Sequence, residues 1–340
     1  MLTEEPTPGG YLLMDWNESP LGPPPAAVER VIAAAGQLHR YPRGLMTEVT
    51  ELAAAHLGVT PEHILLTAGV DEAIDITLSL AERAWGVEPG FDGYVERAAA
   101  NNRPFRGIPL DADWQPAVDK VDAGAGDIVY LAQPDNPTGM LYDIDWIRRV
   151  RETAEYLFLD ETYHEFSTRP SVLPAAADSA GLLVYRSFAK AMGLAGIRVG
   201  CLVAEPALIA RLSPFRRFMP IDAVSLHAAA GLLSSPSFIT RLKDHVLTAR
   251  PLLAAALRES GLFAEVRDTE ANFVMAEPMP GTGEHVLAAL ASERILVKEC
   301  RGLGLPGWLR ISVGTLADQD RLAACLATVS PTHAQRPGSA

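Results

Sequence analysis

Apolar residues recur along the chain in two alternating patterns from about residue 46 onward. Stretches with helical spacing, such as TEVTELAAAHLG (47–58) and DEAIDITLSLAERAW (71–85), are separated by short apolar runs. These runs include DIVYLAQP (127–134), YLFLDE (156–161) and GLLVYRSF (181–188). Strand-like runs that alternate with helices are typical of an α/β fold with a mostly parallel, doubly wound sheet.

A different pattern begins after about residue 222. Long helices rich in alanine and leucine precede the strand-like segments ANFVMAE (271–277), RILVKEC (294–300) and WLRISVG (308–314), which favours a smaller α+β domain. The proline-rich stretch YLLMDWNESPLGPPP cannot form a long helix and is interpreted as an arm lying over the active site. The predicted units are this N-terminal arm (1–25), a large domain (26–225), a small domain (226–330) and a disordered tail (331–340).

Composition limits the partners and the compartment of the protein. Of the 340 residues, 48% are hydrophobic and 21% are charged, which is ordinary for a globular protein. The net charge of −13 argues against binding nucleic acid or an anionic membrane, since both require clustered Lys and Arg. The cysteines, Cys201, Cys300 and Cys325, are far apart and predict no disulfide framework. With no signal peptide pattern and no apolar run of roughly 18 residues, we expect a cytoplasmic protein.

Two further matches carry little functional weight. GLGLPG (302–307) fits the dinucleotide-binding pattern G-x-G-x-x-G, but Pro306 and a strand-like run follow it where a helix is required, so a turn is expected. HEFST begins like a zinc-binding helix but lacks the second histidine, so His164 is interpreted as a structural or surface residue. No metal site is predicted.

Lys190 lies just after a strand-like run, among small and apolar residues. A lone lysine is usually a solvated surface residue. A partly desolvated lysine, however, has a lowered pKa and forms a Schiff base with an aldehyde. Ser187 and Arg198 lie nearby in sequence, and a hydroxyl and a guanidinium suit a phosphate. Pyridoxal 5′-phosphate combines an aldehyde with a phosphate monoester, so this segment predicts it as the cofactor.

This cofactor imposes requirements that other segments meet. In a doubly wound sheet, ligands bind beyond the carboxyl ends of the strands. The pyridine nitrogen needs a carboxylate, for which Asp160 is placed, although a strand-end acid can also cap a helix. Tyr163 and Asn136 are candidates for the ring hydroxyl, and Arg310 for a substrate carboxylate. Backbone amides for the phosphate are available where a helix begins, at Gly69, Val70 and Asp71.

Five separated segments occur in the order typical of one family: TAGVDEAI, DNPTG, DETYHEF, SFAKAMGLAGIRVG and LRISVGT. The chain resembles the class I/II aminotransferases, which are fold-type-I pyridoxal-phosphate enzymes, and among them the histidinol-phosphate aminotransferase branch. The resemblance runs from WNESPLGP to LRISVGT, nearly the whole chain. It implies a large domain that binds the cofactor, a smaller α+β domain and an amino-acid substrate.

The resemblance also implies roles for individual residues. The catalytic residues would be Lys190, which carries the cofactor and moves protons, Asp160 at the pyridine nitrogen and Tyr163 at the ring hydroxyl. The other cofactor-binding residues would be Gly69, Val70, Asp71, Ser187 and Arg198 at the phosphate, Asn136 at the ring hydroxyl, Tyr94 stacked on the ring, and Tyr41 reaching the phosphate of a neighbouring subunit. The substrate would contact Arg310, Asn272, Asn17 and Glu18. A residue shared between subunits implies a homodimer.

The chain also departs from the family pattern. Ala189 stands where the family usually has Ser or Thr, and Asp135 where it commonly has Asn. Leu21 and Lys298 stand where histidinol-phosphate enzymes have a tyrosine and an arginine that serve the substrate phosphate. Histidinol phosphate itself is therefore not the expected substrate. The arm instead carries Glu18 and Asp15, which would suit a cationic side chain.

Three functions remain open from the sequence. The first is an amino-acid aminotransferase. The second is a cyclase or dehydratase on the same scaffold, resembling capreomycidine synthase and acting on a hydroxylated arginine-like amino acid in specialised metabolism. The third is a cofactor-free binding protein, which the retention of Lys190, Asp160 and Arg198 disfavours.

Overall fold

The computed structural model describes residues 10–117 and 121–330. The predicted disordered tail (331–340) and the first nine residues of the predicted arm lie outside these described residues. The helices of the described part are α1 (Pro25–Ala34), α2 (Leu45–Leu57), α3 (Gly69–Leu78), α4 (Asp92–Ala100), α5 (Ile144–Thr153), α6 (Leu173–Ala176), α7 (Pro206–Leu212), α8 (Ala223–Leu233), α9 (Ser237–Glu259), α10 (Gly283–Ser292) and α11 (Leu316–Leu326).

The strands form two separate sheets. They are β1 (Leu12–Met14), β2 (Ile64–Thr67), β3 (Arg83–Glu88), β4 (Phe105–Pro109), β5 (Asp127–Ala132), β6 (Tyr156–Asp160), β7 (Leu182–Ser187), β8 (Gly200–Val203), β9 (Phe263–Arg267), β10 (Phe273–Pro278), β11 (Ile295–Glu299) and β12 (Leu309–Ser312). The large sheet has the order β2-β8-β7-β6-β5-β3-β4, and the small sheet has the order β1-β11-β12-β10-β9.

The large sheet matches the predicted α/β class. The pairs β7–β6, β6–β5, β5–β3 and β3–β4 are parallel, and β8 runs antiparallel to both of its neighbours. Residues on β5 and β6 are buried throughout, which explains why these segments read as continuous apolar runs. The carboxyl ends of β5, β6 and β7 therefore lie side by side at one edge of the sheet.

The small sheet includes part of the N-terminal arm. β1 pairs in parallel with β11, with Met14 opposite Val297, while the other pairs of this sheet are antiparallel. The residues after β1 then cross toward the large sheet, where Asn17 and Tyr163 are hydrogen-bonded. The arm thus links the two sheets.

The predicted domain boundary near residue 225 falls within helix α8, which packs against α1 and α2 of the large domain. This helix is buried almost all round, because nearly every residue after Val224 is apolar or small. The small domain instead places the long helix α9 against its sheet. Within the described part of the chain, no helix has the length and apolar character needed to cross a bilayer.

Candidate active site

A cavity of about 650 Å³ lies at the carboxyl ends of the parallel strands, between the two sheets and the arm. Its floor includes Asp160 and Ser187, the last residues of β6 and β7. Lys298 and Arg310 reach it from the small sheet, and Glu18 from the arm. The cavity is thus where ligands are expected in a doubly wound sheet.

Lys190 lines this cavity and donates a hydrogen bond from Nζ to the Trp16 carbonyl oxygen at 2.7 Å. Burial, and secondarily the nearby Arg310 and Arg198 guanidinium groups, lower the pKa of Lys190 to about 8, with Glu18 opposing them. A neutral amine is the nucleophilic form of lysine. The position therefore suits a lysine that reacts with an aldehyde.

Asp160 is a buried carboxylate at the cavity wall. Its Oδ1 accepts the Thr162 amide at 2.9 Å, and its Oδ2 accepts the Tyr94 hydroxyl at 3.2 Å. Burial raises the pKa of Asp160 to about 6, and no cationic side chain of the described residues pairs with it. A protonated pyridine nitrogen would supply the missing positive charge.

Part of the cavity lining suits an anion. Helix α3 begins at Gly69, whose φ of +77° favours glycine, and a Cβ there would lie 3.0 Å from Nη2 of Arg198. Arg198 and Asp71 form an exposed ion pair at 3.5 Å. Gly69, Val70, Ser187 and Arg198 line the cavity, whereas Asp71 is not among its lining side chains. Backbone amides at a helix start together with a guanidinium suit a phosphate.

Arg310 is 6% exposed and is held from two sides. One of its terminal nitrogens donates to the Asn136 side-chain oxygen, and the other donates to the Asp15 carbonyl oxygen at 2.8 Å. Its Nε has no hydrogen-bond partner among the described residues. The guanidinium lines the cavity, and each of its terminal nitrogens carries a second N–H, which suits a substrate carboxylate.

Asn17 joins the arm to both domains. Its Nδ2 donates to the Tyr163 hydroxyl at 3.0 Å, and its Oδ1 accepts from Ser312 at 2.9 Å. Asn272 donates to the Asn17 carbonyl oxygen at 3.0 Å and does not line the cavity. Asn272 therefore contacts the arm in place of the expected contact with a substrate, because its side-chain amide faces Asn17.

Tyr94 does not occupy the position expected of an aromatic residue stacked on the cofactor ring. Its own ring is 3% exposed and stacks on Tyr130 at a centroid distance of 5.1 Å, beneath the cavity floor. Phe91, immediately before α4, lines the cavity instead. The sequence GFDGY contains both aromatics, and only the structure shows which one lines the cavity.

Tyr41 lies outside this cavity. Its side chain is 74% exposed and borders a separate cavity of about 450 Å³. The sequence analysis also missed Thr162, Asp92 and Leu303, which all line the active-site cavity. Leu303 belongs to the GLGLPG segment, which was expected only as a turn.

The sequence matches the family described as aminotransferase class I and II over residues 10–326, and the chain belongs to this family. It is 31% identical to a histidinol-phosphate aminotransferase of Haloarcula marismortui, covering 91% of this chain and 87% of that protein. The fold is similar to that of the histidinol-phosphate aminotransferase of Clostridium acetobutylicum, with a TM-score of 0.84, 22% identity and coverage of 94% and 98% of the two chains.

The enzyme from Sinorhizobium meliloti, solved with pyridoxal 5′-phosphate, has a TM-score of 0.82 and 22% identity, covering 94% of this chain and 90% of that one. Family membership makes the protein a pyridoxal-phosphate-dependent enzyme of the fold-type-I, aminotransferase kind, with a small-molecule amino-acid substrate. The residues around Lys190, Asp160 and Gly69 fit this cofactor at its aldehyde, ring nitrogen and phosphate, respectively.

Proposed function

We propose that the protein transfers the amino group of an α-amino acid to a 2-oxo acid, with the cofactor attached to Lys190. The observation that carries this proposal is the placement of Lys190, Asp160 and Arg310 on one cavity, which Gly69 and Arg198 also line. A lysine amine, a carboxylate and a guanidinium suit the aldehyde, the ring nitrogen and the substrate carboxylate.

The lining of the cavity supports the proposed roles of the cofactor-binding residues. Asp160 would hold the proton on the pyridine nitrogen, and Tyr163 and Asn136 would contact the ring hydroxyl. When bound, the cofactor would withdraw electrons from the substrate carbon that carries the amine, so that its proton becomes removable. Ser187, Arg198 and the amides of Val70 and Asp71 would bind the phosphate, and Phe91 would take the stacking position expected of Tyr94.

Lys190 acts as general base and acid at the substrate α-carbon. Its ammonium is easily deprotonated because burial and nearby positive charges lower its pKa to about 8, close to the pH at which enzymes operate. The Trp16 carbonyl oxygen lies 2.7 Å from Nζ and orients this amine when it is not bonded to the cofactor. Arg310 meanwhile fixes the substrate carboxylate.

The substrate is not expected to be histidinol phosphate. Lys298 lines the cavity where the relatives' arginine is expected, and Leu21 replaces the expected tyrosine. Glu18 and Asp92 add carboxylates to the same wall. These carboxylates also favour one alternative, a cyclase or dehydratase acting on a hydroxylated arginine-like amino acid, because its side chain would be cationic.

The assembly is proposed to be a cytoplasmic homodimer. Tyr41 is exposed and turned away from the cavity of its own chain, as expected for a residue that serves a neighbouring subunit. The cysteines are unpaired, which suits a reducing compartment. Light scattering on the purified protein tests the dimer, and a monomeric mass at micromolar concentration would contradict it.

The decisive experiment follows the absorbance of the bound cofactor. We expect a visible band that is lost in Lys190→Ala and converted to the amine form when an amino-donor substrate is added without an acceptor. Mass analysis should then find the corresponding 2-oxo acid. Return of the aldehyde form with loss of water would instead support the cyclase or dehydratase, and a colourless protein that cannot be reconstituted would refute both.

A further inference from the structure

A second cavity adjoins the active-site cavity. This side groove, of about 400 Å³, lies between the turn that joins β3 to α4 (residues 87–92) and the turn at residues 302–304. Phe91, Asp92 and Leu303 line both cavities. The side groove is therefore a continuation of the active-site cavity and is not an isolated surface depression.

Glycine keeps one wall of the side groove close to the other. Gly304 has a φ of +81°, and a Cβ at this position would lie 3.0 Å from Cβ of Pro89. The GLGLPG segment, which has no phosphate-binding helix after it, thus forms a wall of this groove. Its function here is packing against the β3–α4 turn.

The charged side chains that line the side groove are both carboxylates, Glu88 and Asp92, within the described residues. Neither carboxylate has a hydrogen bond or an ion pair within the part of the chain that the structure describes. Asp92 is half-buried, and burial, reinforced by Glu96, raises its pKa, although Lys298 and Arg310 lower it. An unpaired, partly desolvated carboxylate on the wall of a cavity is a candidate binding group.

The position of Arg310 indicates how the side chain of a substrate would enter the side groove. The Arg310 guanidinium lines the active-site cavity, and the second N–H of each terminal nitrogen can bind a substrate carboxylate. Arg310 also lies close enough to Asp92 to affect its titration. A substrate anchored through its α-carboxylate at Arg310, with its amine toward Lys190, can direct its side chain past Asp92 into the side groove.

We propose that the side groove is a subsite that selects α-amino acids whose side chain ends in an amino or guanidino group. This inference rests on the proposed function, because it uses the carboxylate anchor at Arg310. The Asp92 and Glu88 carboxylates would accept hydrogen bonds from the cationic end. Lys298 and Arg310 line the adjoining active-site cavity and lower the pKa of Asp92, whereas no cationic side chain of the described residues lines the side groove itself.

The test compares three amino acids with straight-chain side groups on the cofactor-loaded protein: L-arginine, the neutral L-norleucine and the anionic L-2-aminoadipate. Dissociation constants come from calorimetry and from the change in cofactor absorbance. We expect L-arginine to bind about tenfold more tightly than L-norleucine, the scale of one charge-assisted hydrogen bond. L-2-aminoadipate should bind most weakly, and added salt should reduce the preference for L-arginine.

Two variants assign the preference to the side groove. Asp92→Asn should reduce the ratio of L-arginine to L-norleucine affinity about tenfold, and Glu88→Gln should reduce it about threefold. Glu82→Gln is the matched control, since it removes the same charge from an exposed position just before β3, outside both cavities. Thermal melting establishes that each variant is folded.

The outcomes separate the two proposals. Conversion of the cofactor by L-norleucine with no preference for L-arginine, or a preference that Asp92→Asn leaves intact, would overturn the subsite and leave the proposed function standing. Failure of every amino acid to bind or to change the absorbance would overturn the proposed function itself. If Glu82→Gln and Asp92→Asn reduced the preference for L-arginine equally, the preference would depend on overall charge, and the proposed subsite would again be overturned.

Discussion

Replacing Lys190 by methionine should stabilise the cofactor-free protein at neutral pH, although it removes the central reactive group. The Lys190 ammonium is desolvated in the cavity, and its pKa falls from 10.5 to about 8. One pH unit corresponds to about 1.4 kcal/mol, so the protonated lysine costs the native state about 3 kcal/mol. Loss of its hydrogen bond to the Trp16 carbonyl oxygen offsets roughly half of the gain. The expected net gain is about 1–2 kcal/mol at pH 7.

The sign of the pH dependence follows from the lowered pKa. Between about pH 8 and pH 10.5 the unfolded chain still holds the Lys190 proton, whereas the native protein has lost it, so the stability of the wild type rises with pH. The free-energy cost of the buried Lys190 ammonium is present in full below about pH 8 and is gone above the pKa of lysine in the unfolded chain. The advantage of Lys190→Met should therefore shrink by about 2 kcal/mol or more between pH 7 and pH 10.

Urea denaturation of both proteins, stripped of cofactor, measures this difference at pH 7, 8.5 and 10. Lys243→Met is the control, because Lys243 is exposed on α9 and a surface substitution is expected to change stability by less than about 0.5 kcal/mol. An advantage of Lys190→Met that is the same at all three pH values would refute the reasoning, as would a variant less stable than the wild type at pH 7.

Three further predictions address the cofactor, the substrate and the fold. Asp160→Asn should slow amino transfer about 100-fold or more while the cofactor still binds, because the neutral amide cannot hold the pyridine proton. Single-turnover absorbance measures the rate, and an unchanged rate would contradict the role of Asp160. Arg310→Ala should weaken amino-acid binding by roughly 1.5–3 kcal/mol in calorimetry, with unchanged affinity counting against the carboxylate anchor. Gly139→Ala should lower the free energy of unfolding, measured in urea, by about 2–4 kcal/mol, since φ at Gly139 is +70° and the new Cβ would lie 2.4 Å from Thr269 Cβ. A decrease of less than about 1 kcal/mol would contradict this prediction.

The local sequence predicted the residues that follow strands. Asp160, Ser187 and Lys190 each come at or just after an apolar run, so an α/β sheet necessarily places them at one edge. Gly69 was predictable for a similar reason, since it begins a helix directly after β2. These predictions needed only the alternation of strands and helices and the chemistry of the side chains.

Side-chain direction near a helix start was not predictable in the same way. Phe91 and Tyr94 are three residues apart, and no periodicity shows that Phe91 lines the cavity while Tyr94 stacks on Tyr130. Asp92, next to Phe91, was missed in the same way. The boundary near residue 225 was placed from composition, and the contacts of α8 with α1 and α2 are visible only in the structure.

The sequence by itself determined the class of fold and identified Lys190 and Asp160 as candidate site residues, because strand ends and residue chemistry are local properties. Only the tertiary structure decided how Arg310 is held, since its partners Asp15 and Asn136 lie in the arm and after β5, far away in the chain. It alone joined Glu88 and Leu303 in one groove. Such contacts depend on how two sheets and an arm pack together, and no periodicity in the sequence records that packing.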